Sequence, residues 1–211
     1  MTHDKLVWQG TLIAVQPRIR LTRSFDQRSH SYLGYTLHMV GQIGDKAGEF
    51  LVGIGVAAQA KHQFHTGDGV SGRSEPVTNE KLEPVDYYKT TCLQVIQRAE
   101  IGDSGPPPPW RGIPPELETY QERGHRRLSA KTYAGKCRGC IWGCLMAVEI
   151  IVDQWNPRQK RYRSETFCYG PKSCPLYKPG PTRKVSGRKG MVWEEEDWVD
   201  EDATGHRDWD E

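Results

Sequence analysis

KCRGCIWGCLMAVEIIV, residues 136–152, decides how the second half of this chain folds. Its first part spaces Cys137, Cys140 and Cys144 as Cys-x2-Cys-x3-Cys. Its second part alternates Met146, Val148, Ile150 and Val152 with other residues, the period of two of a half-buried strand. Trp155-Asn156-Pro157-Arg158 then turns the chain, and 161–167 returns as a second strand. Such a hairpin carries Cys168 and Cys174 back to the end where Cys137 and Cys140 stand. Five cysteines thus fall within 38 residues. Cys92 lies apart, on a predicted strand, and is expected in the core.

Clustered cysteines pair as disulfides in oxidising compartments and hold metals in reducing ones. Residues 1–10 lack the apolar stretch of a signal peptide. The longest nearly apolar stretch, 140–152, contains Glu149 and is too short to span a bilayer. A soluble, cytoplasmic protein without membrane contact is therefore expected, with its thiols as ligands. The apolar share of 36% implies a thin core, which a metal would reinforce. The expected site is Cys137, Cys140, Cys168 and Cys174, with Cys144 as a spare thiol close by. Two knuckles at a hairpin end, the first being Cys-Arg-Gly-Cys, resemble a zinc ribbon, and that resemblance implies one Zn²⁺ held by four thiolates. The alternative is a [4Fe–4S] cluster, which also takes four thiolates and often has a proline after its last ligand, as in Cys174-Pro175.

The first hundred residues look all-β. Over 10–22, Ile13, Val15, Ile19 and Leu21 alternate with Gln16, Arg18 and Arg20. Leu33, Tyr35, Leu37, Met39 and Ile43 recur along 32–43, a turn falls at 44–48, and Phe50, Val52, Ile54 and Val56 resume the alternation. Residues 57–64 allow one or two helical turns. Phe64-His-Thr-Gly67-Asp68-Gly-Val70-Ser-Gly72 leads into a fourth strand, and 88–97 makes a fifth. Three strands, a short helix and two strands resemble the OB-fold, a five-stranded barrel used by many single-strand binders.

The expected fold is mainly β. A small OB-like five-stranded barrel covers 1–100, and a proline-rich linker with a short helix covers 101–129. A cysteine-metal β-hairpin domain with a basic extension covers 130–190, and an acidic tail covers 191–211. Within the linker, four consecutive prolines in 104–115 favour an extended polyproline strut, and the helix starts near Pro115 and ends before Gly124.

A net charge of +2 conceals strong segregation. Residues 194–211 hold ten acids and one base, Arg207, a net of −9, so 1–193 carries +11. Within the latter, 122–190 holds 16 Lys and Arg against four acids, a net of +12. A basic body with an acidic tail points to a polyanion partner and a tethered competitor for the same surface. The expected contacts to single-stranded nucleic acid are Arg18, Arg20 and Arg23 on the first strand, Arg158, Lys160, Arg161 and Arg163 on the hairpin, and Lys172 beyond it. Cations would track phosphates while interleaved Tyr and Trp side chains stack on bases. The tail also suits a protein partner. The chain has no Walker loop, dinucleotide fingerprint, nucleophile elbow or His-Glu-x-x-His motif, so catalysis is not expected. Beside nucleic-acid binding, two functions stay open: electron transfer through an iron–sulfur cluster, and protein interaction through the tail.

Overall fold

The computed structural model describes residues 4–25, 27–100, 108–156 and 158–208. Residues 101–107 of the proline-rich segment, Pro157 of the hairpin turn and Trp209 of the tail lie outside them.

The alternation becomes β1 (Leu6–Arg23), 18 residues long and antiparallel to β2 (Arg28–Ile43). Their register slips between Leu12 and Ala14 and again between Arg18 and Ile19. Such bulges let a long strand bend. β2 continues antiparallel to β3 (Lys46–Ile54), and α1 (Val56–His62) follows. β4 (Gly69–Pro76) pairs antiparallel with the first half of β1 and with β5 (Tyr87–Gln97), while β5 meets β3 in parallel at Val52↔Tyr87. Cys92 differs from expectation. It sits where the β4–β5 register slips, has a φ of 53°, and is exposed rather than in the core.

Next come α2 (Leu117–Arg123), a two-residue β6 (Arg126–Arg127) and a single turn, α3 (Ala130–Thr132). The predicted hairpin is β7 (Gly143–Ile151) and β8 (Lys160–Cys168). Alternation alone did not announce its docking. β7 lies parallel to the second half of β1, from Arg20↔Ala147 to Arg23↔Ile150. The chain is therefore mainly β with one eight-stranded sheet, in the order β2-β3-β5-β4-β1-β7-β8-β6. The core follows the sheet across the proline-rich segment: Trp8, Leu37 and Val52 belong to one buried cluster with Met146, Val148 and Phe167. Among the described residues no helix is long and apolar enough to cross a membrane.

The tail folds onto this sheet. β9 (Arg183–Ser186) pairs antiparallel with β10 (Val192–Glu195), and α4 (Asp197–Thr204) follows. Arg127, wholly buried, receives it. Its Nε donates to Asp200 at 2.9 Å, its Nη1 to Glu195 O at 2.6 Å, and its Nη2 pairs with Asp197. Burial works against the guanidinium's charge, but Asp200 and Asp197 outweigh it and its pKa stands above the ordinary value. Arg127→Met keeps the apolar stem and strands Asp200 without its cation. Urea denaturation should show a loss of roughly 3–5 kcal/mol for this variant, as for breaking a buried pair from one side. Asp197 has a side chain 81% exposed, so Asp197→Asn should cost less than about 1 kcal/mol. Equal losses from both would mean that Arg127 does not organise the tail.

Candidate metal centre and nucleic-acid surface

A different piece of local structure delivers each knuckle. Tyr133–Cys137 continues α3 as a wide π-type turn, a feature that recurs at functional sites. Beyond it, Cys140 N donates to Cys137 O and Gly143 N to Cys140 O, each at 3.0 Å. Gln16 of β1 clamps this knuckle. Its Nε2 donates to Cys137 O at 3.0 Å and Cys140 O at 2.7 Å, and its Oε1 accepts from Tyr133 Oη at 2.7 Å. Gly143 makes the approach feasible, since a Cβ there would stand 2.6 Å from Cys137 O and 2.8 Å from Gln16 Nε2. The second knuckle leaves β8 at Cys168 and bends through 171–177, where Cys174 N donates to Pro171 O and Tyr177 N to Cys174 O. Arg126 braces that loop, with its guanidinium 3.9 Å from the Tyr177 ring and donating to Pro171 O at 2.9 Å.

Cys137, Cys140, Cys168 and Cys174 line one cavity of about 10 Å³, walled by Trp110, Trp142 and Tyr177. The first three are buried and Cys174 is half-buried. Among the described residues no three His, Cys, Asp or Glu side chains stand in a ready metal-holding arrangement. The donor set nonetheless fits a thiolate-bound ion. Gly170 N lies 3.4 Å from Cys168 Sγ, and the main-chain N–H groups of Trp142 and Trp110 bond the Cys140 thiol. N–H bonds to sulfur favour the thiolate. Arg126 and Arg207 place positive charge near Cys168, which offsets the negative charge of four thiolates. Held there, Zn²⁺ would supply a cross-link between the knuckles in a closed structural site.

Cys144 stands apart from the four thiols. Side chains alternate along β7, so Leu145 packs toward the thiol cluster while Cys144, Met146 and Val148 enter the main core. The Cys144 thiol is wholly buried and donates to Pro17 O at 3.4 Å.

The sheet register separates the predicted cations. Arg20 shares its face with Ala147 and Ser164, and therefore with Lys160 and Tyr162, whereas Leu21 shares the other face with Val148 and Arg163. On the first face, Arg20 donates to Leu82 O at 2.9 Å and pairs with Glu83 at 2.6 Å. Arg18 donates to Leu33 O at 3.0 Å, and Lys160 pairs with Glu149 at 3.0 Å. On the other, Arg23 is buried against Glu195 at 2.9 Å, Arg163 bonds Glu165 and Lys184 O, and Arg161 donates to Ser186 Oγ at 2.9 Å. Lys172 donates to Arg207 O at 2.7 Å. Arg158 is exposed in the hairpin turn, beside Trp155 at 83% exposure. The eight residues therefore do not line one groove.

Sequence reasoning missed Gln16, Arg126 and Trp110. Spacing carried no signal for them. Gln16 looked like a solvent-facing residue of an alternating strand, yet it is 2% exposed because the cysteine knuckle covers it. No protein-family model matches the chain, and no curated protein or solved structure does either.

Burial first, then the neighbouring thiols, push Cys137 up to about 12, and burial pushes Cys140 up to about 11, from an ordinary thiol value of 9.0. Between these values and 9.0 the folded protein binds more protons than the unfolded chain. Metal-free stability should therefore be full below pH 9.0 and fall as pH rises through about 11 and about 12. Bound Zn²⁺ displaces those protons, so stability of the zinc-loaded protein should fall on acidification instead. Thermal melts taken across pH should fall at the alkaline end with a chelator and at the acid end with zinc. Parallel curves would remove the metal from the account.

Proposed function

We propose that the protein is a metal-stabilised binder of single-stranded nucleic acid. The pairings β1–β2, β2–β3, β3–β5, β5–β4 and β4–β1 return to the strand from which they start, which supports an OB-like barrel in the first half. The four thiols at the root of the β7–β8 hairpin support a structural zinc site in the second. Knuckles at a hairpin root are the usual setting of a closed structural zinc site, which favours zinc over [4Fe–4S].

The hairpin tip carries the reading. Trp155 is 83% exposed and adjoins the exposed Arg158, while Lys81 lies 5.8 Å from the Tyr162 ring on the neighbouring strand. An indole left in water contributes nothing to folding, but it stacks on any base. Cations beside it meet phosphates. The acidic tail modulates this surface by withdrawing cations from it, since Glu195 pairs with Arg23 at 2.9 Å and with Arg28 at 3.6 Å.

Fluorescence anisotropy with short single-stranded DNA and RNA tests the proposal. Trp155→Ala should weaken binding by about 5- to 150-fold, the value of one stacked base. Arg158→Ala should flatten the salt dependence by about 0.7 in the log–log slope, for one phosphate contact on a single strand. Failure of the intact protein to bind either strand at low salt would overturn the proposal.

A further inference from the structure

The connection between β4 and β5 crosses the sheet face that carries Arg20, Lys160 and Tyr162. Residues 77–86 contain neither helix nor strand. The ends of this loop are tied down, since Val77 N donates to Asp86 O at 2.9 Å and Asp86 N donates to Leu51 O at 3.0 Å. Val85 is buried, whereas 78–81 are exposed. The outer part reaches the sheet through ions. Arg20 Nε donates to Leu82 O at 2.9 Å, and Arg20 Nη2 pairs with Glu83 Oε1 at 2.6 Å. Arg18 Nη1 stands 3.8 Å from the other oxygen of the same carboxylate. Gly53 of β3 leaves room for that guanidinium, because a Cβ there would collide with Arg18 Nη1. Lys81 lies 5.8 Å from the Tyr162 ring, so the loop spans from the first strand to the hairpin.

One carboxylate does not satisfy these two guanidiniums. The side chains of Arg18, Arg20 and Glu83 are 14%, 26% and 13% exposed, so their charges are largely withdrawn from water. Two cations and one acid leave a net of +1. Among the described residues, Arg18 Nε and Glu83 Oε2 are buried without a hydrogen-bond partner. A buried polar atom left unbonded is a net cost to folding. Burial holds the Arg18 pKa below its ordinary value; Glu83 opposes this, and Arg20 adds to it. The site therefore accommodates more negative charge than Glu83 supplies. Guanidiniums take phosphate oxygens in paired hydrogen bonds. A phosphate sets its oxygens in a tetrahedral array, where a carboxylate offers two in one plane, so it can bond the Arg18 Nε that Glu83 leaves unbonded. The exposed outer part of the loop buries little, which makes its release a local opening rather than an unfolding of the sheet.

We propose that Arg18 and Arg20 form a phosphate-binding site, which Glu83 on a displaceable loop occupies until a phosphate takes its place. The proposal rests on the nucleic-acid reading only for the source of the phosphate, which is either the backbone of a single strand or a free polyphosphate. Anisotropy with labelled oligothymidylate and calorimetry with inorganic tripolyphosphate test it on the full-length protein. Glu83→Gln should tighten binding by about 2- to 30-fold, the value of two partly exposed ion pairs that the probe no longer has to break. Glu80→Gln removes the same charge from an exposed position of the same loop and should change affinity by less than about twofold. Arg20→Ala added to Glu83→Gln should abolish the gain. That double variant also relieves the repulsion between the two arginines, so it keeps the comparison informative if Glu83→Gln alone lowers the melting temperature. A gain for oligothymidylate, with or without one for tripolyphosphate, supports the site with a nucleic-acid backbone as its ligand. A gain for tripolyphosphate alone supports the site, makes a free polyphosphate its ligand and counts against the nucleic-acid reading. No gain for either probe beyond that of Glu80→Gln, or a gain that survives Arg20→Ala, overturns the proposal even where the wild-type protein binds oligothymidylate.

Discussion

The fold of the second half depends on one buried guanidinium. Arg127 has no exposed surface and carries a full charge, which only a close set of oxygens makes tolerable. Asp200, Asp197 and the carbonyl of Glu195 supply it, and all three belong to the tail. The tail thus completes the structure. Without it, a cation in the strand beside β8 would face apolar surroundings. Nearby, Arg23 and Arg183 converge on Glu195 and Glu165 in the same manner.

This changes the meaning of the charge segregation. A segment at +12 followed by one at −9 was read as a surface waiting for a polyanion. Part of that charge is satisfied internally: Lys184 meets Glu194 at 3.0 Å and Arg127 is held by Asp200, while Arg23 of β1 pairs with Glu195 of the tail. Charge counts along a sequence cannot separate a partner in solution from one a few dozen residues away in the same chain. What remains for an external anion is the set of cations the tail does not reach, chiefly near the hairpin tip.

Legibility followed the range of the interaction. Strands β1 to β5, α1, α2 and the hairpin were readable because alternation and turn residues are local signals. The convergence of Cys137, Cys140, Cys168 and Cys174 was readable too, because a hairpin returns its two ends to one place. The parallel pairing of β1 with β7 was not, since it joins residues more than a hundred positions apart and has no turn to mark it. Gln16 and Cys144 were misplaced for that reason. Once β7 lies against β1, Gln16 is covered by the cysteine knuckle, and Cys144, on the opposite face from the other thiols, becomes core. The alternation that exposed the strand also contained the correction for Cys144, since Met146 and Val148 share its parity.

The same docking limits what the thiol centre can do for the surface at the far end. Nine residues of β7 separate root from tip, roughly 30 Å at strand rise. An ion at the root would be too distant to touch a strand of nucleic acid at Trp155, so its influence would be mechanical. Gln16 gives that influence a path, because the residue that clamps Cys137 and Cys140 sits in β1, four positions before the strand begins its parallel ladder with β7 at Arg20. Fixing the knuckle fixes the register of the hairpin against β1, and a one-residue slip there would carry Tyr162 and Lys160 to the opposite face. Under the proposed function, such a centre would bear on binding by deciding which face of the sheet meets the ligand.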